Sequence, residues 1–328
     1  MMTRPLVPVA ILTCASALLT ATQTFHAAAP TSLLCGAPPA VTQSARYTVH
    51  ARVRPFLIWI GRRVVGAAAI NLELGTLNSE LGISSSQFKV QSSKFELTIG
   101  TEPAKTPMHV NRWGHLAEVT CGARTTVVGV MTQSDETTID EAQRASAAGA
   151  GNAYRVVRST IAGGTIESEL LRQVLPDTIT YRDLAQVIAG LPAPGAATRV
   201  AATPGQAPGF LSAMSELIGE AHAALQRNGT VVTRAVRRYV HGTTTYSVTI
   251  GRASLVTAAR IGDRVYSTLM DADYEIRNHT SGELTRFSLA TQVDGAAAGL
   301  PARAVFRPRW WLELELIAQI DGEDGRRP

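Results

Sequence analysis

Lysine is nearly absent from this basic chain. Only Lys89, Lys94 and Lys105 are lysines, so arginine supplies the other basic side chains behind a formal net charge of +5 at pH 7. Nucleic-acid-binding proteins usually cluster their positive charge on one face, whereas these arginines are scattered along the chain. Arginine in place of lysine, together with abundant alanine and glycine, is typical of GC-rich codon usage. We therefore predict a bacterial protein with no nucleic-acid partner.

Apolar runs long enough to cross a membrane are also missing. A transmembrane helix needs about 20 apolar residues, and the stretch Leu6–Leu19 is shorter and interrupted by polar residues. Arg4 precedes it and Ala27–Ala29 follows, which is the order found in a secretory signal peptide. We predict a signal peptide over residues 1–29, with cleavage after Ala21 as an alternative. The mature protein is expected in the periplasm or outside the cell, with no transmembrane span.

Cysteine is scarce as well. Of the three cysteines, Cys14 lies in the predicted signal, so Cys35 and Cys121 remain in the mature chain. Exported compartments are oxidising, and two thiols there usually form a disulfide. We predict a Cys35–Cys121 disulfide. The alternative is a nucleophilic or metal-binding Cys121, which would need a positioned histidine.

Sequence signatures of catalysis are lacking. The chain contains no Gly-x-Ser-x-Gly elbow, His-Glu-x-x-His, Cys-x-x-Cys or Walker loop. His109 and His115 would lie about 20 Å apart on a straight strand, too far to share a metal ion unless the strand turns at Gly114. Asp271 and Asp273 are interpreted as solvated turn or helix-start residues. We predict no metal and no cofactor, although a Ser–His–acid triad needs no closeness in sequence.

What the chain does have is alternation of apolar and polar residues at its start and end, the pattern of half-buried strands. In the final stretch Leu312, Leu314 and Leu316 share one face, and Glu313 and Glu315 share the other. We predict that these leucines are buried and that the glutamates are more exposed.

The middle of the chain carries helical patterns instead. Segments with apolar residues at helical spacing or with capping residues are Thr138–Ala147, Ile166–Val174, Thr180–Ile188 and Phe210–Gln226. Residues 189–209, rich in Ala, Gly and Pro, are predicted as a linker or long loop.

These patterns predict an α+β fold. A large curved antiparallel sheet, forming a half-barrel or incomplete barrel, would pack on a few helices from the middle of the chain. We expect one β-rich domain over residues 30–320, with a possible subdivision near 189–209, and a disordered tail over 321–328. Two β-rich domains are the alternative.

About a fifth of the chain resembles a group of bacterial exported β-rich proteins with no known function. The resemblance is carried by five short stretches of sequence: Ile60–Arg62, Asn111–Gly114, Thr285–Phe287, Gly299–Pro301 and Pro308–Leu316. It implies no activity and no catalytic residue.

Candidate binding residues come from the rare aromatics. Trp59 lies in an apolar stretch beside Arg62, an arrangement that suits contact with a lipid interface. Trp310 and Trp311 are adjacent, so in a strand they point to opposite faces. We predict Trp59, Arg62, Trp310 and Trp311 as ligand-binding residues of an exported, non-enzymatic protein. Its partner would be an apolar or amphipathic ligand, such as a lipid or hydrophobic small molecule, or an envelope protein. The alternative is an exported hydrolase with a dispersed catalytic site.

Overall fold

The structure is a computed structural model that describes residues 34–37, 39–54, 60–75, 92–106, 110–132, 152–176, 178–228, 235–309 and 311–319. Within these ranges fourteen strands form one antiparallel sheet, and strands make up 64% of the structure. The strands are β1 (Val41–Val53), β2 (Ile60–Leu74), β3 (Ser92–Thr101), β4 (Trp113–Cys121), β5 (Arg124–Thr132), β6 (Asn152–Ala162), β7 (Thr165–Leu175), β8 (Thr198–Ala201), β9 (Val236–His241), β10 (Thr244–Ile261), β11 (Arg264–Asn278), β12 (Leu284–Gln292), β13 (Pro301–Arg309) and β14 (Leu312–Gln319).

The first and last strands pair in the middle of the sheet. The strand order is β8-β7-β6-β5-β4-β3-β2-β1-β14-β13-β12-β11-β10-β9. β1 pairs antiparallel with β14, with Val49 opposite Leu316, so the strands from the start and from the end of the sequence belong to one sheet. The edge strands are β8 and β9, and the sheet is not closed.

The predicted fold class is wrong in its helical part. Within the described ranges the α-helices are α1 (Leu184–Ala189) and α2 (Phe210–Asn228), and they form no substantial helical layer against the sheet. The capping box of Thr180 and Asp183 is present and leads into α1. The predicted helix Thr138–Ala147 lies outside the described residues. The structure is therefore a mostly-β fold and not α+β.

The segment predicted as helix Ile166–Val174 is part of strand β7. Its apolar residues happen to fall at helical spacing, but the chain reverses just before it at Gly163 and Gly164. Both glycines have positive φ angles, of 57° and 76°, as a two-residue hairpin turn requires. All eleven residues of β7 then pair with β6, so hydrogen bonding between neighbouring strands outweighs the local pattern.

The sheet bends so that one face lies inside. The carboxylate of Glu118 on β4 accepts hydrogen bonds from the first turn of α2, while α2 packs on β9 and β10. A Cβ added at Gly129 on β5 would lie 2.8 Å from the His241 ring of β9. β4 and β5 thus meet β9 and α2, which belong to the other half of the sheet. The face through which they meet is called the inner face. One isolated bridge, between Ala207 and Tyr239, links the chain after β8 to β9.

Helix α2 fills the inner face of the later strands. Its apolar side pairs with buried residues of β9 to β12 in a single cluster, and Ala213, Leu217 and Ala221 are fully buried there. Burial of such side chains is the main stabilising contribution in the fold, at about 25 cal/mol per Å² of apolar surface.

The opposite face, which we call the outer face, is covered near β3 to β6 by the chain that leads into α1. The Trp113 indole N–H donates to the Ile179 carbonyl at 3.4 Å, and the Trp113 and Tyr154 rings lie 4.7 Å apart. The Tyr181 ring occupies the space above Gly100, where any side chain would clash. This stretch of chain therefore lies on the side of the sheet opposite α2.

The predicted exposure pattern of the last strand is wrong. Glu313 and Glu315 are buried, and Leu312, Leu314 and Leu316 are only half-buried. Arginines of the neighbouring strands lie across the two carboxylates on the outer face. The ion pairs are Arg52–Glu313 at 3.3 Å, Arg307–Glu313 at 2.7 Å and Arg303–Glu315 at 2.7 Å. The long arginine side chains shield the glutamates from water while their own charged ends stay partly exposed.

The predicted disulfide is confirmed. Cys35 and Cys121 are bonded, with their Cα atoms 5.7 Å apart. The bond ties the segment before β1 to the end of β4. The predicted signal peptide and the 321–328 tail lie outside the described residues, and residues 198–201 of the predicted linker form β8.

Removing the disulfide should lower stability without changing the sheet. The bond closes a loop with a sequence separation of 86, for which the chain-entropy model gives about 4 kcal/mol. We expect the double variant Cys35→Ser/Cys121→Ser to have a free energy of unfolding lower by about 4 kcal/mol. It should therefore unfold at a lower denaturant concentration than the parent. Chemical unfolding, with non-reducing peptide mapping of the parent protein, measures it. Two free thiols in the parent protein would contradict the pairing.

Candidate functional site

The four predicted binding residues do not form a described site. Trp59 and Trp310 lie outside the described residues, as does the side chain of Arg62. Trp311 is buried, and its carbonyl accepts a hydrogen bond from the Arg54 backbone N–H at 2.8 Å. Ligand binding by these residues stays a prediction.

A different group of apolar residues is exposed on the inner face. Met131 on β5 and Leu170 and Val174 on β7 are 47%, 56% and 72% exposed. Strand register places all three on the same face as Glu118, which contacts α2. Single exposed apolar residues are ordinary, but these share one face of β5 to β7. They make an apolar surface inside the bend of the sheet.

Two arginines lie within this apolar surface. Met131 is opposite Arg155 in the register of β5 and β6, and Arg155 is opposite Arg172 in that of β6 and β7. Leu170 and Val174 flank Arg172 at two residues on either side, so they point to the same face. The Nε atom of Arg155 is buried and has no hydrogen-bond partner. We call these five residues the inner patch.

The turn between β9 and β10 packs close to the inner patch. A Cβ added at Gly242 would lie 3.7 Å from Val157 and 3.8 Å from Ser168, on β6 and β7. Burial lowers the pKa of His241, and the positive charge of Arg155 lowers it further. Burial raises the pKa of the Tyr246 hydroxyl, while Arg155 acts in the opposite direction and Glu283 in the same one. The imidazole is therefore neutral at pH 7, and Arg155 carries the positive charge here.

Glu118 fixes the position of α2 against the sheet. One oxygen accepts from the Leu211 N–H at 2.6 Å, and the other from the Ser212 N–H at 2.9 Å and the Ser212 hydroxyl at 2.6 Å. A carboxylate at a helix N-terminus satisfies backbone donors that have no partner within the helix. Burial raises the pKa of Glu118 although these hydrogen bonds lower it. Gly209 is required nearby, because a Cβ there would clash with this carboxylate.

Other polar groups show no metal-binding arrangement in the part of the chain that the structure describes. No cluster of three His, Cys, Asp or Glu side chains occurs in these ranges. His109 lies outside them. The Nδ1 atom of His115 lies 2.9 Å from the Thr98 hydroxyl, and burial lowers the pKa of this histidine. Asp271 is exposed on β11, a strand and not the predicted turn.

Comparisons with known proteins identify no relative. No protein-family model, no curated protein sequence and no solved structure matches this chain. The resemblance to bacterial exported proteins therefore stays a prediction, and function has to be argued from the geometry.

Among the described residues, no helix combines the length and the apolar character needed to cross a lipid bilayer.

Sequence patterns gave little indication of the inner patch. Leu170, Arg172 and Val174 lie in the segment predicted as a helix, where they would not share a face with Arg155. Strand pairing alone brings the two arginines together. A signal was present in the Gly163-Gly164 pair, since two glycines between patterned segments indicate a hairpin.

The Glu118 contact predicts a pH effect on stability. The pKa of Glu118 is raised above its ordinary value of 4.5, so the folded protein binds this proton more tightly than the unfolded chain does. Its contribution to stability is complete below pH 4.5 and falls as pH rises through the folded pKa. Glu118→Gln should therefore lose about 1–3 kcal/mol at low pH, and the difference from the parent should shrink as pH rises.

Urea unfolding of both proteins across pH 4 to 8 measures this difference. Glu216→Gln on α2 is the matched control. Glu216 is half exposed and pairs with Arg237, so its loss should cost less than about 0.5 kcal/mol. Parallel pH profiles for the parent and Glu118→Gln would contradict the buried position of this carboxylate.

Proposed function

We propose that this protein is an exported, non-enzymatic protein that binds an apolar or amphipathic ligand on the inner face of its bent sheet. The observation that carries the proposal is the exposure of Met131, Leu170 and Val174 on that face. Exposed apolar patches often mark binding sites, and small-molecule sites are concave and mostly apolar.

The surroundings of the inner patch support a binding surface. The β9–β10 turn packs against β5 to β7 on the same face, so the apolar side chains lie in the bend of the sheet and not on its convex side. The inner face continues as apolar side chains along the neighbouring strands. In one cross-strand row Ile70 lies opposite Leu97 and Leu97 opposite Leu116, and all three are half-buried.

The hydrolase alternative draws on one observation. The Ser247 hydroxyl and the His279 Nε2 atom lie 3.0 Å apart. A serine triad also needs a carboxylate on the other ring nitrogen, and among the described residues none is hydrogen-bonded there. Ser247 is buried within strand β10, whereas nucleophilic serines of the common hydrolase type sit on a sharp exposed turn. The geometry therefore favours binding over hydrolysis.

Binding can be tested with a fluorescent apolar probe. N-phenyl-1-naphthylamine should gain fluorescence on the mature protein, and dodecanol should displace it. The double variant Leu170→Asn/Val174→Asn should bind the probe and dodecanol at least about tenfold more weakly. Each polar replacement removes on the order of 1 kcal/mol of apolar contact. Both parent side chains are exposed, so the fold should keep its melting temperature.

Val265→Asn is the matched control. Val265 is 62% exposed, similar to Val174, but lies on β11, well away from the inner patch in the strand order. This variant should bind like the parent. Equal weakening by the control, or no binding by the parent, would contradict the proposal.

A further inference from the structure

Arg155 and Arg172 are an unusual pair because two like charges face each other. They lie directly opposite each other in the β6–β7 register. The Cβ atoms of such a pair are about 5 Å apart, and like charges at these positions destabilise a sheet. Neither guanidinium has an ion pair among the described residues, and the Arg155 Nε atom is buried with no hydrogen bond. A buried polar atom without a hydrogen-bond partner destabilises the fold.

The outer face of the same two strands shows the ordinary arrangement. Arg158 lies opposite Glu169 in the β6–β7 register, and their side chains form an ion pair at 3.7 Å. On β13 and β14, Arg303 likewise pairs with Glu315. Among the described residues, carboxylates therefore lie beside these outer-face arginines, and none forms an ion pair with Arg155 or Arg172. An anion that is not part of the described chain would balance both arginines.

The position of the two arginines restricts the shape of that anion. Met131 lies in the same cross-strand row, and Leu170 and Val174 lie on each side of Arg172. An anion bound here contacts apolar side chains as soon as it extends beyond its charged group. A small inorganic ion would leave these side chains open to water, whereas an amphiphile would cover them.

We propose that Arg155 and Arg172 bind the acidic head group of a single-chain amphiphile, a carboxylate or a phosphate monoester, whose alkyl chain contacts Met131, Leu170 and Val174. The inference rests on the proposed function and names the ligand class for the same face. Guanidinium groups match these anions because their N–H donors form a planar fork that can bind two oxygens at once.

The test compares ligands that share a chain and differ in the head group. Dodecanoate, dodecyl phosphate and dodecanol are titrated against the mature protein at pH 8 by displacement of the naphthylamine probe, with inorganic phosphate as a chainless ligand. The parent should bind one or both acids at least about tenfold more tightly than dodecanol, as expected for charge-assisted hydrogen bonds. Whichever acid binds more tightly identifies the head group as carboxylate or phosphate.

Variants locate the head group. Arg172→Gln should abolish the preference for acid over alcohol and leave the dodecanol affinity unchanged, and Arg155→Gln should do the same. Arg172 is exposed, so its variant tests the proposal even where Arg155→Gln lowers stability. Arg286→Gln is the control, because Arg286 is 76% exposed on β12 and pairs with Glu275. It should keep the acid preference.

Three outcomes would overturn the inference. Equal affinity for acid and alcohol would remove the head-group assignment but leave the proposed function intact. Binding of inorganic phosphate as tightly as dodecyl phosphate would show an anion site that does not use the apolar residues. A lack of binding by all four ligands, with the parent correctly folded, would overturn the proposed function as well.

Discussion

The hydrogen bonds between Glu118 and the start of α2 are the contact on which the arrangement of the inner face depends. A long antiparallel sheet twists and has two faces to cover, and here α2 covers only the inner face of β9 to β12. The Glu118 carboxylate, on β4, holds the first turn of this helix at 2.6 to 2.9 Å. This contact links the two halves of the sheet and leaves β5 to β7 partly open.

The buried carboxylates of β14 on the outer face and the arginine pair of β6 and β7 on the inner face differ in whether a described side chain of opposite charge lies beside them. On the outer face, buried glutamates such as Glu313 and Glu315 are paired with arginines. Burying a charge without a partner is costly, so these pairs are what makes the burial possible. On the inner face Arg155 and Arg172 stand together among exposed apolar residues. The described residues place no carboxylate beside these two arginines, and this is the basis on which we propose an anionic amphiphile as the ligand.

The sequence predicts much of the sheet and little of the candidate site. Alternation located the first and last strands, the helical pattern located α2 and the two thiols predicted the disulfide. Two errors have physical causes. The residues of β7 have helical spacing, and only pairing with β6 selects the strand. In β14, alternation identifies which residues share a face, but the arginines of β1 and β13 determine which face is buried. Both depend on residues distant in sequence, which local pattern cannot show.

The most direct measurement is a crystal structure of the protein with 12-bromododecanoate, in which the bromine marks the chain end by anomalous scattering. Our account predicts carboxylate density between the Arg155 and Arg172 guanidinium groups, and a bromine peak on the inner face of the sheet. A bromine peak only on the outer face, or an inner patch holding no ligand at saturating concentration, would contradict it.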